Sequence, residues 1–298
     1  MPNGSPENVS AGNPENHEFE HIGSDAEWWY FDGQSKEGAV FNIIFYSHLG
    51  KNKPTFSLFL HVPGEAPISI HDQVDTPFES TKEKYIAMGE HQVTKDNESL
   101  RLRSSGNRHS LDIKFTPVYK PSFVEIEQPG MGWRVEMPKA TLQGQITIGK
   151  EAFDFSGSGY HDHNWFKDSK INSEMDNREV LATVLRGWQF GRFFGEKDYV
   201  YGFNGTESHL LQNGVAVPVT IETVETDEYQ RFKFQYPTIL KLLTPIGEIT
   251  VHNQKILLAN ALVESGKTVK SGYLRFLSQL KINDPTTKIM NGVHEIWT

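Results

Sequence analysis

The chain has 298 residues, 37% of them hydrophobic, with 19 Phe, 10 Tyr, 6 Trp and a formal charge of -9, which is enough apolar material for one large core or two ordinary ones. An acidic balance without any run of lysines or arginines offers no electrostatic footprint for a phosphate backbone or an anionic membrane surface, so nucleic acid is not an expected partner. The absence of cysteine excludes disulfide frameworks, thiolate metal sites, iron-sulfur clusters and cysteine nucleophiles.

Taken in chain order, residues 1–19, inside the stretch beginning "MPNGSPENVSAGNPENHE", read as a polar, disordered leader. It lacks the charged start and apolar stretch of a targeting segment, and no later window approaches the ~18 apolar residues of a membrane span. A cytoplasmic protein without a membrane span is expected. From Glu27 onward, short runs rich in aromatic and β-branched residues ("EWWYFDG", "AVFNIIFYSH", "TFSLFLHV", "SLDIKFTPVY") alternate with turn residues, the pattern of antiparallel strands. Hairpin turns are expected at Asp96-Asn97 and at Gly149-Lys150. In "LQGQITI", Leu142, Ile146 and Ile148 share one face and Gln143, Gln145 and Thr147 the other, with Gly144 prone to form a bulge.

The one long stretch without strand character, 166–185, reads as a crossing that contains a short helix capped by Asn177 in "NREVLATVL". It separates an N-terminal β domain (20–165) from a C-terminal one (186–298). No short-period repeat is visible, which argues against a propeller or solenoid. The expected fold class is all-β, with two consecutive antiparallel barrels or sandwiches and little helix. Aromatic-rich interiors of this kind suit one apolar ligand.

Three stretches can carry chemistry. In "GSGYHDHNW" (157–165), His161 and His163 project to one face of a strand, while Asp162 and Asn164 project to the other. Only one of these pairs can face a given pocket. As a metal clamp the histidines would need a third ligand such as Glu27, His209 or His252, and no signature for one is visible; as ordinary strand residues they bond to backbone or carboxylate. As acid/base groups they would be oriented by Asp162 and Asn164.

In "SDAEWWYFDG" (24–33), alternation puts Glu27, Trp29 and Phe31 on one face and Trp28, Tyr30 and Asp32 on the other. The paired indoles fill a core or wall a pocket. Glu27 reads as a buried carboxylate with a raised pKa that meets a polar group of a greasy ligand. In "RGWQFGRFFG" (186–195) and the following "DYVYGFNG", Trp188, Phe190 and Tyr199 or Tyr201 can form an aromatic wall. Neither a phosphate loop nor a Gly-x-Ser-x-Gly elbow is present, so nucleotide and serine-hydrolase chemistry have no visible seat.

The pair "EWWYFDG" and "GSGYHDHNW", in this order, resembles the two-domain, lipocalin-like proteins grouped with carotenoid 1,2-hydratase (hydroxyneurosporene synthase), which include the fungal Diels-Alderases. The resemblance covers nearly the whole chain past residue 20 and departs from the family pattern at Phe166, where a glycine is expected. It implies two lipocalin-like barrels, a ligand pocket in or between them, and neither metal nor organic cofactor.

The activity it implies is a Diels-Alder or hetero-Diels-Alder cyclisation, with or without coupled dehydration, of an apolar polyketide or terpenoid intermediate. Alkene hydration of a terpenoid or carotenoid is the first alternative, and non-catalytic carriage of apolar ligands the second. For cyclisation, Glu27, His161, His163 and Asp162 are the candidate catalytic groups. Trp28, Trp29, Tyr30, Tyr160, Asn164, Trp188 and Tyr201 are the candidate substrate-binding groups. For hydration, Asp162 or Glu27 would be the proton source.

Overall fold

Alternation of apolar and polar residues between turn residues resolves into strands almost throughout. The computed structural model describes residues 24–49, 53–81, 85–119, 124–128, 131–167, 175, 177–204, 207–245, 247–265, 268–282 and 288–298; the expected 1–19 leader lies outside them. The first half contributes β1 (Ala26–Ser35), β2 (Val40–Leu49), β3 (Thr55–His61), β4 (Ile68–Gln73), β5 (Ile86–Met88), β6 (His91–Asp96), β7 (Ser99–Ser105), β8 (His109–Pro117), β9 (Val124–Gln128), β10 (Met131–Ile148) and β11 (Glu151–Phe166). After the helix α1 (Asn177–Val184) come β12 (Gln189–Phe193), β13 (Tyr199–Phe203), β14 (Ser208–Gln212), β15 (Val215–Val217), β16 (Thr220–Tyr229), β17 (Phe234–Thr244), β18 (Gly247–Ser265), β19 (Thr268–Ile282) and β20 (Lys288–Trp297).

These strands form two antiparallel sheets. The first runs β4-β3-β2-β1-β11-β10-β8-β7-β6-β5, with β9 on β10, and the second runs β15-β14-β13-β12-β20-β19-β18-β17-β16. The first sheet curls on itself, because Asp72 on β4 reaches His109 on β8 at 3.6 Å. Its concave side holds an apolar cluster that includes Trp29, Phe31, Phe45, Phe56 and Phe115. The second sheet wraps its own cluster around Phe193, Tyr199, Tyr201 and Leu242. A third cluster, with Trp28, Tyr30, Trp133, Tyr160, Trp188 and Phe190, lies between the sheets. Among the described residues the architecture is all-β with one helix, two consecutive lipocalin-like β domains as the motifs imply.

Local expectations meet the structure with small shifts. The β10–β11 hairpin turns at Gly149-Lys150, where Gly149 has φ 60°. The β6–β7 turn sits one residue later than expected, at Asn97-Glu98, because Asp96 pairs with Ser99 and Asn97 takes the left-handed conformation at φ 54°. Asn tolerates that region better than most residues. Gly144 pairs in register with β8 and β11 and makes no bulge; a Cβ there would lie 2.1 Å from the Asp112 carbonyl oxygen. No helix among the described residues is long and apolar enough to cross a membrane.

Candidate functional site

The strand pair β1–β11 forms the middle of the first sheet and carries both sequence motifs. Its register places Trp28 opposite Asn164, Trp29 opposite His163, Tyr30 opposite Asp162, Phe31 opposite His161 and Asp32 opposite Tyr160. Directly opposed residues share a face. One face of the ribbon therefore collects Trp28, Tyr30, Asp32, Tyr160, Asp162 and Asn164, and the other Glu27, Trp29, Phe31, His161, His163 and Trp165. The glycines at the head of the second motif permit this pairing. A Cβ on Gly157 would lie 2.0 Å from the Gln34 carbonyl oxygen, and one on Gly159 would lie 2.9 Å from that of Asp32.

The face bearing Asp162 and Asn164 lines a cavity of about 470 Å³ between the two sheets. Its floor comprises Trp28 and Tyr30 with Ile44 and Tyr46 of β2 and Ser57 and Phe59 of β3; Trp188, Phe190, Tyr273, Glu295 and Trp297 bound it from the second half. Helix α1 packs on both β2 and β18 and supplies Arg178 and Leu181 to the same cavity, with Leu185 just after it. The walls are thus mostly aromatic and aliphatic, with carboxyls and amides at particular points. That is the usual composition of a small-molecule site.

Asp162 is the centre of the polar part. Its Oδ2 accepts from Tyr160 Oη at 2.6 Å and Trp133 Nε1 at 2.8 Å, and its Oδ1 accepts from Asn164 Nδ2 at 2.6 Å. Burial disfavours the carboxylate more than these three donors favour it, and the carboxyl is pushed up to about 7. None of its donors carries a charge. At neutral pH the group therefore exists in both protonation states, as a general acid or base requires.

A second carboxyl, Glu295 on β20, faces the same cavity in a different setting. Tyr30 Oη donates to Glu295 Oε1 at 2.6 Å, Arg275 Nη1 donates to the Tyr30 oxygen at 2.8 Å, and Arg275 also pairs directly with Glu295. Burial raises the Glu295 pKa, while Arg275 and Tyr30 pull it back down. Asp32 continues the network, bonded to Arg192 Nε at 2.5 Å and lying 3.5 Å from Arg275. All four charges are buried, and they are joined through hydrogen bonds and ion pairs, as buried charges require.

The opposite face of the β1–β11 ribbon has no part in the cavity lining. His163 Nε2 lies 2.8 Å from Glu27 Oε1, with its ring stacked on Trp29 at 4.1 Å. His161 stacks on Phe31 at 3.9 Å, and its two nitrogens meet Tyr85 Oη and the Tyr30 carbonyl, each at 3.0 Å. Burial lowers its pKa to about 3, although the Tyr30 carbonyl acts the other way, so its ring is neutral near pH 7. Among the described residues no group of three or more His, Asp or Glu is arranged to hold a metal ion.

The sequence candidates thus separate by face. Trp28, Tyr30, Asp162, Asn164 and Trp188 line the cavity, with Tyr160 bonded to Asp162 beside it. Glu27, Trp29, His161 and His163 lie in or beside the first core. Tyr201 belongs to the second core, 5.7 Å from His294 between ring centres.

Glu295, Tyr273 and Trp297 escaped the sequence reading, although a signal was present. "GVHE" (292–295) follows the pattern of "GYHD" (159–162), with His294 corresponding to His161 and Glu295 to Asp162; beyond it the spacing differs, and Trp297 stands where Asn164 does. The register agrees, because Phe190 pairs with Glu295 as Tyr30 pairs with Asp162. Trp188 and Arg192 then correspond to Trp28 and Asp32. The cavity lies between two strand pairs of related design.

No protein-family model matches the chain, and no curated protein matches its sequence. Solved structures do match. CghA, crystallised with Sch210972, superposes with a TM-score of 0.67 at 13% identity over 92% of this chain and 88% of its own. Kievitone hydratase from Nectria haematococca superposes with a TM-score of 0.56 at 12% identity over 92% of this chain and 89% of its own. At such identities the likeness concerns the fold. The chain has the two-domain, lipocalin-like β architecture of CghA and kievitone hydratase, the architecture implied by the resemblance of its two motifs to the carotenoid 1,2-hydratase-like group.

Proposed function

We propose that the chain is an enzyme whose active site is the cavity between the sheets, and that it catalyses a Diels-Alder or hetero-Diels-Alder cyclisation of an apolar polyketide or terpenoid intermediate in natural-product biosynthesis. The observation that carries this reading is a 470 Å³ cavity walled by Trp28, Tyr46, Trp188, Phe190 and Trp297 with a tunable carboxyl, Asp162, in its floor. A cycloaddition needs its two unsaturated partners held in a near-attack arrangement, which can lower the barrier by roughly 7–11 kcal/mol. The aromatic walls serve that end. Protonated Asp162, or the Asn164 amide, would donate to a substrate carbonyl and stabilise charge that builds up in an asynchronous transition state.

One observation favours a second reading. A buried carboxyl with a pKa near neutrality is what protonation of an alkene carbon requires, so Asp162 also suits a hydratase, and kievitone hydratase shares the fold. The two readings differ in mass and in isotope. Purified protein would be incubated in deuterated water with linear trienes bearing an electron-poor alkene and with prenylated phenols. A cyclised product isomeric with its substrate and free of carbon-bound deuterium supports the cyclase. A product heavier by one water, with deuterium on carbon, supports the hydratase. Binding without turnover of any compound defeats both and leaves a carrier.

A further inference from the structure

The cavity floor can be followed strand by strand. Pairing carries one row from Asp162 on β11 through Tyr30, Ile44 and Ser57 to His71 on β4, about 19 Å measured along the sheet at ~4.8 Å per strand. Asp162 and Glu295, the carboxyls of the lining, stand at the inner end, linked to the middle by Tyr30.

The outer end is polar in the opposite sense. Ser57 Oγ lies 3.0 Å from His71 Nδ1; when the hydroxyl donates there, the imidazole presents Nε2–H as a donor. Partial enclosure by the cavity walls is the main reason the His71 pKa lies below its usual range; Asp72 acts the other way, and Arg178 of α1, which lines the same cavity, adds to the lowering. Asp72 follows His71 but projects from the other face of β4, where its carboxylate meets His109 at 3.6 Å. Glu179, which follows Arg178, is not part of the lining. His71 and Arg178 are exposed, so this end is the mouth. A guanidinium beside a neutral imidazole N–H matches a carboxylate or enolate.

We propose that the mouth, formed by Arg178, His71 and Ser57, holds the acidic head group of an elongated substrate whose apolar, unsaturated part extends along Ile44 and Tyr30 toward Asp162. This rests on the reading of the cavity as the substrate site. The probes are lauric acid, methyl laurate and 1-dodecanol, titrated into the full chain by calorimetry and followed by quenching of tryptophan fluorescence.

Laurate is expected to bind roughly tenfold more tightly than the ester or the alcohol. Arg178→Gln should bring laurate down to the level of the ester measured with the same variant, and His71→Leu, on a strand rather than on the helix, should reduce the preference independently. Equal binding of the three compounds to the wild-type chain, or a preference that survives both substitutions, overturns the head-group assignment and leaves the cavity reading standing. Failure of all three to bind overturns both.

Discussion

Asp32 and Arg192 meet across the seam at 2.5 Å, both fully buried, from corresponding positions on the central strands of the two sheets. The strand pairs that carry them also carry Asp162 and Glu295, so the contact that joins the halves sits beside the candidate chemistry. Helix α1 and the aromatic residues of the third cluster complete the same interface.

Removing one partner of this network leaves buried charge uncompensated, because Arg192 and Arg275 share Asp32. Asp32→Ala is expected to lower stability by about 3–5 kcal/mol. Denaturant unfolding measures it, and a change below about 1 kcal/mol would mean that water already enters the seam.

Asp162→Asn keeps the shape of the site and removes the titrating proton. Turnover should fall by a factor of roughly 10² to 10⁴ with ligand binding retained. In the wild-type chain a step that uses Asp162 as an acid should slow as pH rises through about 7. Equal rates in wild type and variant would remove Asp162 from the mechanism.

The same residue leaves a mark on stability. A carboxyl raised from 3.8 to about 7 in the folded chain binds its proton more tightly there than in the unfolded chain. Its contribution is therefore full at low pH and declines as pH rises between those values, by up to roughly 4 kcal/mol. His91, His161 and His294, lowered by burial to about 4, 3 and 3, act in the opposite direction. Their contribution is full above about 6.5 and is lost as pH falls toward their folded values. Unfolding curves from pH 4 to 8 should show Asp162→Asn gaining on wild type as pH rises and His161→Phe losing less than wild type as pH falls. Parallel curves would contradict these shifts.

Trp28 packs face to face on Phe166 at 5.3 Å and lines the cavity floor. Trp28→Ala should cost about 3–5 kcal/mol of stability and lower kcat/KM roughly 100-fold through lost positioning, whereas Trp28→Phe should retain most of both. Comparable kinetics in all three proteins would place the substrate elsewhere.

Glu27 and His163 supply a contrast, since their pair lies on the face away from the cavity. Glu27→Gln is expected to lower the melting temperature and leave product identity and stereochemistry unchanged in the folded fraction. Altered stereochemistry with unchanged stability would bring the first core back into the mechanism.

Strands, the all-β class and the two faces of each motif are legible along the chain, because a period of two sorts side chains without reference to anything distant. The pairs Glu27, Trp29 and Trp28, Tyr30 separated at that level, as did His161, His163 and Asp162, Asn164. Alternation cannot say what lies opposite either face. Only the packing of the second sheet decided that Asp162 and Asn164 meet a cavity, and that Tyr201, aromatic and equally plausible along the chain, fills a core instead. Glu295, Arg275 and His71 lie far from both motifs in sequence. They reach the site because strand pairing and the seam bring β4, β19 and β20 together, through long-range contacts that local patterning does not encode.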